Sequence, residues 1–138
     1  MTLDEIAEEL RRELSKHFAT VRVSAVQTPE QFMTELEAIS PDKLPGVIIV
    51  FDNFNNDSAD AIEEYRFTLV AVDRFYAAAD DRARRILRTA AEVMSLFPSD
   101  GRQLGTVYVH PTDCAAATVD PRYAALALGI VCKQSHYE

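Results

Sequence analysis

The sequence predicts one α+β domain, with a mostly antiparallel sheet of four to five strands and helices packed on one face. The length of 138 residues fits one domain rather than two. Apolar residues recur at helical spacing in three segments and at strand spacing in others. Two pairs of consecutive strands are expected to form hairpins, which makes the sheet mostly antiparallel. The predicted order is α-β-α-β-β-α-β-β.

The first predicted element is an amphipathic helix over about residues 3–17. Its apolar residues recur at spacings of three and four: Leu3, Ile6, Ala7, Leu10, Leu14 and Phe18. Acidic residues stand near its start: Asp4, Glu5, Glu8 and Glu9. Basic residues follow towards its end, an order that suits the helix dipole. Val21, Val23 and Val26 then predict a short strand.

The second helix has a complete start signal. Thr28 can cap it, Pro29 suits the first helical position, and Gln31 can reach back as in a capping box. Its apolar stripe consists of Phe32, Leu36 and Ile39. We expect the helix to end at residues 40–41, a Ser-Pro pair.

A continuous apolar run at 47–51 predicts a strand that is central in its sheet or covered on both faces. The polar, acidic stretch at 52–64 is expected to be an exposed loop. The alternating segment at 65–73 then predicts the second strand of a hairpin with a long tip.

The third helix is expected to start at Asp80 or Asp81 and to end at Phe97, because Pro98 and Gly101 follow. The residues predicted to form its buried face are Ala83, Ile86, Leu87, Ala90, Met94 and Phe97. Strands at 104–110 and 123–133 complete the predicted domain. Proline residues at 111 and 121 are expected to interrupt the chain between them.

The formal net charge of −8 argues against a general nucleic-acid binder and against a polybasic membrane anchor. No apolar run approaches the ~20 residues of a membrane span. The acidic, amphipathic start does not resemble a signal peptide, so we expect a cytoplasmic protein with two reduced cysteines.

The stretch that starts at Asn53 has the spacing of an EF-hand calcium loop. Asn53, Asn55 and Asp57 alternate, and Glu64 is the twelfth residue. Ser58 replaces the sharp-turn glycine, the first ligand would be a neutral amide, and the flanking segments are strands rather than helices. We therefore expect an exposed acidic hairpin tip and no metal site.

Cys114, with His110 and Asp113 nearby, is a candidate thiol nucleophile. No nucleophile turn, oxyanion glycine cluster or second nearby histidine supports this interpretation, so a packing role is expected. If the last two strands pair, Cys114 lies beside residue 127 and Cys132 is about 17 Å away. A disulfide needs Cα atoms within about 7 Å, so none is expected. No phosphate-binding or dinucleotide motif is present. The sequence predicts no enzyme and no cofactor.

Two charged groups are candidate contacts with partner molecules. One is the arginine cluster of the third helix: Arg82, Arg84, Arg85 and Arg88. It could bind phosphate, face solvent, or pair with the acidic start of the first helix in a neighbouring subunit. The other is the acidic hairpin tip: Asp57, Asp60, Glu63 and Glu64.

Four segments carry a resemblance to a known family: LPGVIIVFDNF at 44–54, YRFTLVAVD at 65–73, DDRARRILRTAAEVMSLF at 80–97 and YAALALGIVCK at 123–133. With the order of the elements, they resemble the tail-terminator and tail-completion proteins of long-tailed bacteriophages, closest to the small tail proteins of Mu-like prophages. The second helix, which is rather long, and the Asn-rich stretch at 53–57 depart from that pattern.

The resemblance implies a structural protein, without covalent chemistry, that caps the tail tube as a ring, often of six subunits. Its partners would be further copies of itself, the tail tube and the head-completion proteins. Part of the negative charge would face a DNA passage or the basic helix of a neighbour. The alternative is a small cytoplasmic adaptor or immunity-type module whose acidic surface binds a basic partner.

Overall fold

A computed structural model describes residues 1–24, 28–57, 61–74, 80–117 and 122–135. Three helices form: α1 (Leu3–Ser15), α2 (Pro29–Glu37) and α3 (Asp80–Leu96). Six strands form: β1 (Val21–Ser24), β2 (Gly46–Asp57), β3 (Ile62–Arg74), β4 (Arg102–Leu104), β5 (Val107–Ala117) and β6 (Tyr123–Ser135). A short 3-10 turn (Pro41–Lys43) precedes β2.

The strands form one curled sheet in the order β1-β2-β3-β6-β5-β4. Only β1 and β2 are parallel, and every other neighbouring pair is antiparallel. The α+β class and the mostly antiparallel sheet are confirmed. The predicted number of strands is wrong, because the described sheet contains six.

The prediction of helices on one face is also wrong. On one face, which we call the α1 face, α1 and α3 bury Leu10 and Val93 against Ile49, Leu69 and their neighbours. The opposite face, the α2 face, is covered by Leu36 of α2 over Ile48 and Val70. The difference follows from the parallel β1-α2-β2 crossover, whose helix must cross one face of the sheet.

The predicted start of α2 is confirmed in detail. The hydroxyl of Thr28 accepts a hydrogen bond from the backbone N–H of Gln31, and the side chain of Gln31 accepts one from the backbone N–H of Thr28. Pro29 occupies the first turn, where a missing N–H costs nothing. This capping fixes where the crossover helix begins.

The buried face of α3 is partly mispredicted. Leu87 and Met94 are 59% and 46% exposed, whereas Thr89 and Val93 are buried. Burial on the helix follows Ile86, Thr89, Val93 and Phe97, at spacings of three and four. Leu87 and Met94, seven residues apart, lie on another side of the helix.

The strand predicted at 104–110 is two strands. Gly105 has a φ of +57° and turns the chain between β4 and β5. Pro111 does not end β5 as expected but lies within it, beyond the last residue paired with β4. Proline is tolerated there because an edge strand has one side without partners for its N–H groups.

Candidate interaction surface

The outer half of β2 is an open sheet edge. β1 pairs with β2 only from Val47 to Val50, and in the described chain no strand pairs with β2 on that side beyond Val50. Residues 51–56 are all exposed. This stretch, the β2 edge, therefore presents backbone groups that another strand could bind.

The second open edge lies on β5, at the opposite side of the sheet. β4 pairs with β5 only from Val107 to Val109, and residues 112–116 are exposed. We call residues 112–117 the β5 edge. Because β2 and β5 run in opposite directions, the two edges occupy diagonally opposite corners of the sheet. One short strand, β1 or β4, covers the other half of each side.

Two β-bulges lie at the level where these open edges begin. Phe51, Phe67, Ile130 and Pro111 are register partners in one row across the four long strands. The register shifts after Phe51 in β2 and after Pro111 in β5. A bulge bends the strand that contains it, here β2 and β5. Beyond the bulge, each side chain lies on the opposite face from the one it would occupy in a regular strand.

The bulge in β2 determines where Phe54 points. Without it, Phe51 and Phe54 would lie on opposite faces, since they are three residues apart. With Asp52 as the extra residue, Phe54 pairs with Tyr65 and lies on the α1 face with Phe51. The ring centroids of Phe54 and Tyr65 are 4.9 Å apart. Those of Phe51 and Phe67 are 5.6 Å apart.

These two phenylalanines are only partly covered. Phe51 is 37% exposed and Phe54 is 48% exposed, whereas their partners Phe67 and Tyr65 are buried. Two adjacent exposed aromatic side chains, on a stretch of strand that no other described strand pairs with on one side, are typical of a protein interface. The β2 edge thus combines polar backbone groups with an apolar surface.

Two of the four acidic hairpin residues, Glu63 and Glu64, form contacts within the chain. Glu64 lies 3.6 Å from the guanidinium of Arg66 and 3.7 Å from the ammonium of Lys133. Glu63 accepts a hydrogen bond from the hydroxyl of Tyr65 at 2.5 Å. Burial, together with that hydrogen bond, raises the pKa of Tyr65.

The structure describes only part of the rest of the predicted hairpin tip. Asp60, and the side chain of Asp57, lie outside the described residues. The predicted long loop is mostly strand, because β2 continues to Asp57 and β3 begins at Ile62.

The arginines of α3 have different surroundings. Arg85 forms an ion pair with Asp73, with 2.8 Å between Nε and a carboxylate oxygen, and donates a hydrogen bond to the carbonyl of Leu44. It therefore anchors α3 to the sheet of its own chain. Arg88 is exposed on the next turn. The side chains of Arg82 and Arg84 lie outside the described residues.

Two of the four acidic residues at the start of α1 form ion pairs within the helix. Glu8 pairs with Arg11, and Glu9 lies 2.9 Å from Arg12. The hydrogen bond from Arg11 lowers the pKa of Glu8. These contacts reduce the negative charge that α1 could offer to a neighbouring arginine cluster.

The two cysteines are free, as expected. Cys132 is buried, but Cys114 is exposed on the β5 edge, so the packing role expected for Cys114 is wrong. Burial raises the pKa of Cys132 to about 12. Cys114 pairs with Leu128 rather than residue 127, because the bulge shifts the register by one residue. Cys132 pairs with Val109, so the two cysteines are four residues apart along the sheet, about 13 Å at strand rise rather than the predicted value of about 17 Å. This distance still excludes a disulfide.

His110 and Cys114 lie on opposite faces of the sheet, since the bulge places His110 on the α2 face and Cys114 on the α1 face. Asn53 and Asn55 lie on a strand, so the EF-hand spacing does not form a loop. Among the described residues, no group of three or more His, Cys, Asp or Glu could hold a metal ion. Within the same ranges, no helix has the length and apolar character of a membrane span.

Sequence reasoning missed the β2 edge, because 52–64 was interpreted as a loop. The available signal was Phe54, an aromatic residue within an otherwise polar stretch. The β5 edge was missed because Pro111 was expected to end the strand. The chain matches no protein-family model, and no curated protein is significantly similar to it.

Proposed function

We propose that this chain is a structural protein of a phage or prophage tail or head–tail junction, a tail terminator that assembles into a closed ring on the tail tube. The observation that carries the proposal is the pair of open sheet edges at opposite corners of one sheet. The kind of assembly is inferred from the resemblance in element order to phage tail-terminator proteins. A ring of about six subunits is the expected form.

Edges in this arrangement favour contacts between unlike surfaces. A contact in which one patch binds a different patch on the next copy can repeat, and it closes into a ring when the rotation between copies fits. A sheet with only one open edge would stop at a dimer. The β2 edge and the β5 edge supply the two different patches that a ring requires.

The exposed aromatic residues supply a driving force. Covering Phe51 and Phe54 would remove apolar surface from water, at roughly 25 cal/mol per Å². Backbone hydrogen bonds between the two edges would fix the orientation of one copy relative to the next. The internal pairing of Glu63 and Glu64 supports assembly through the edges more than an acidic docking surface for a basic partner.

The first test is the state of the purified protein over a range of concentrations. Sedimentation and negative-stain electron microscopy are expected to show rings with a fixed subunit number. A stable one-to-one complex with a basic protein, and no ring at any concentration, would favour the adaptor or immunity-type alternative.

The second test is genetic. Deleting the gene from an inducible phage is expected to give tails of uncontrolled length that do not join heads, and the wild-type gene should restore normal particles. Tails of uniform length attached to heads in the deletion strain would rule out a terminator role.

The same strain can test the role of the acidic residues of the hairpin. Reversing Asp57, Asp60, Glu63 and Glu64 together is expected to impair assembly or DNA passage, and an unchanged particle yield would refute that role.

A further inference from the structure

We propose that neighbouring copies join edge to edge, with the β2 edge of one copy pairing antiparallel with the β5 edge of the next and Phe54 lying opposite Cys114. This inference rests on the proposed self-assembly and specifies its contact. The occupant of each open edge is therefore a second copy of this chain.

The direction of the strands permits this pairing without reversing the strand direction of either sheet. β2 and β5 run in opposite directions within one copy. A second copy in the same orientation, placed beside the first, brings its β2 antiparallel to the first copy's β5. β1 and β4 block the other halves of these sides, so the copies must be displaced along the strands. Phe54 is level with Cys132 and Cys114 is level with Leu128, so placing Phe54 opposite Cys114 displaces the copies by about four residues, or ~13 Å at strand rise.

The alternation of side chains selects the register. Phe54 and Cys114 both lie on the α1 face. Placing them opposite each other puts Asn53 opposite Ala115, and these two residues share the α2 face. The extra residue at Asp52 then brings Phe51 opposite Ala116, again on the α1 face. A shift of one residue would place every pair on mismatched faces.

The sizes of the paired residues are complementary in this register. The β2 edge presents two large side chains, Phe51 and Phe54, and the β5 edge presents the small Cys114 and Ala116. All four residues are exposed in the single chain. A large aromatic group opposite a small residue on a neighbouring strand can lie over it and become buried.

Symmetric contacts fit less well. Pairing two β2 strands about a twofold axis near residues 54–55 would put the strand position of Asp52 in one copy opposite that of Asp57 in the other, and like charges across strands are unfavourable. Pairing two β5 edges would leave Phe51 and Phe54 uncovered. The contact between unlike edges avoids both costs and is the one that can propagate into a ring.

Disulfide trapping between two variants tests the contact. One variant carries Asn53→Cys and the other Ala115→Cys, each combined with Cys114→Ser and one of them with a mass tag. Opposed residues on paired strands have Cβ atoms about 4.5–5.5 Å apart, close enough for a disulfide after small adjustment. Both positions are exposed, so both variants should fold, which the urea midpoint of each confirms. The buried Cys132 does not compete.

Mild oxidation of the mixture should give a disulfide-linked heterodimer on a non-reducing gel, at least tenfold more abundant than a homodimer of either variant alone. The matched control replaces Ala115→Cys with Ala116→Cys, one residue further on and on the opposite face. That mixture should cross-link at least tenfold less. A homodimer in either single variant, or equal cross-linking in the control, would overturn the proposed contact.

Electron microscopy of the same samples separates this inference from the proposed function. Rings with no heterodimer would overturn the edge pairing and leave the terminator proposal standing. A heterodimer with open-ended chains and no rings would support the pairing and contradict the terminator role. Neither rings nor cross-links would overturn both.

Discussion

Asp73 at the end of β3 lies 2.8 Å from Nε of Arg85 on α3, and its carboxylate is only 5% exposed. The same guanidinium donates to the carbonyl of Leu44, which precedes β2. One arginine side chain thus joins α3, β3 and the segment before β2. Arg85, which the sequence offers as a contact with partner molecules, instead holds the domain together.

Replacing Arg85 should therefore destabilise the domain. Arg85→Met removes the cationic partner of the buried Asp73 carboxylate, which keeps the hydrogen bond from the backbone N–H of Arg74. We expect a loss of about 1–3 kcal/mol, reduced by the half-exposed position of the arginine. Urea denaturation at pH 7 measures it. Arg88→Met is the matched control on the exposed side, with an expected change within about 0.5 kcal/mol. Equal effects would show that the ion pair does not stabilise α3.

Two aromatic residues, Phe54 on β2 and Phe67 on β3, allow the effects on stability and on assembly to be measured separately. Phe67 is 1% exposed, so Phe67→Ala should cost about 3–5 kcal/mol through lost burial and a cavity. Phe54 is 48% exposed, so Phe54→Ala should cost only about 1 kcal/mol. We expect Phe54→Ala to reduce ring formation in sedimentation at unchanged fold. Full ring formation by that variant would show that Phe54 is not in the contact.

The two thiols should react very differently. Burial raises the pKa of Cys132 to about 12, so its thiolate is scarce near neutral pH and the side chain is shielded from reagent. Cys114 is exposed. We predict that a thiol reagent labels one cysteine per native chain rapidly and the second only in denaturant. Rapid native labelling in Cys114→Ser would contradict the buried position of Cys132.

Acid should weaken the contact between α1 and β4. Glu13 pairs with Lys16 at 2.9 Å and with Arg102 of β4, and the hydrogen bond from Lys16 is the largest effect that lowers the pKa of Glu13 below 4.5. A carboxyl group with a lowered folded-state pKa stabilises the fold above its unfolded value and loses that effect as the pH falls. Wild type should therefore exceed Glu13→Gln in stability at pH 7.

The size of that difference at pH 7 should be about 1–2 kcal/mol, and it should shrink as the pH falls below the ordinary value of 4.5. Urea titrations at several pH values measure both variants. Glu9→Gln, in the exposed pair with Arg12, serves as the control and should change stability by less than about 0.5 kcal/mol. A difference for Glu13→Gln that does not depend on pH would contradict the assignment.

The elements with strong local signals could be predicted from the sequence. The capping residues Thr28 and Gln31 located the start of α2, and the apolar run at 47–51 located the buried half of β2. Features that depend on distant partners could not. Nothing local shows that β1 and β2 are parallel, and it is this crossover that brings α2 to the opposite face.

The β2 edge and the β5 edge could not be predicted from the sequence, for a related reason. A bulge has no fixed sequence signature, yet one extra residue at Asp52 decides which face Phe54 occupies. Whether an edge is open depends on how far the short neighbours β1 and β4 extend. Those lengths follow from the tertiary structure rather than from the composition of β2 or β5.

The uneven pairing of the sheet also predicts how it deforms. β3 and β6 are paired without interruption over thirteen residue pairs, whereas β2 and β5 each have a β-bulge at the row of Phe51 and Pro111. β3 and β6 should therefore form the rigid centre of the sheet, and the sheet should bend most easily along the row that contains the two bulges. The curvature of the sheet could then change near β2 and β5, where copies in a closed ring would have to fit together. The amides near Phe67 and Leu128 would meanwhile remain the slowest to exchange with solvent.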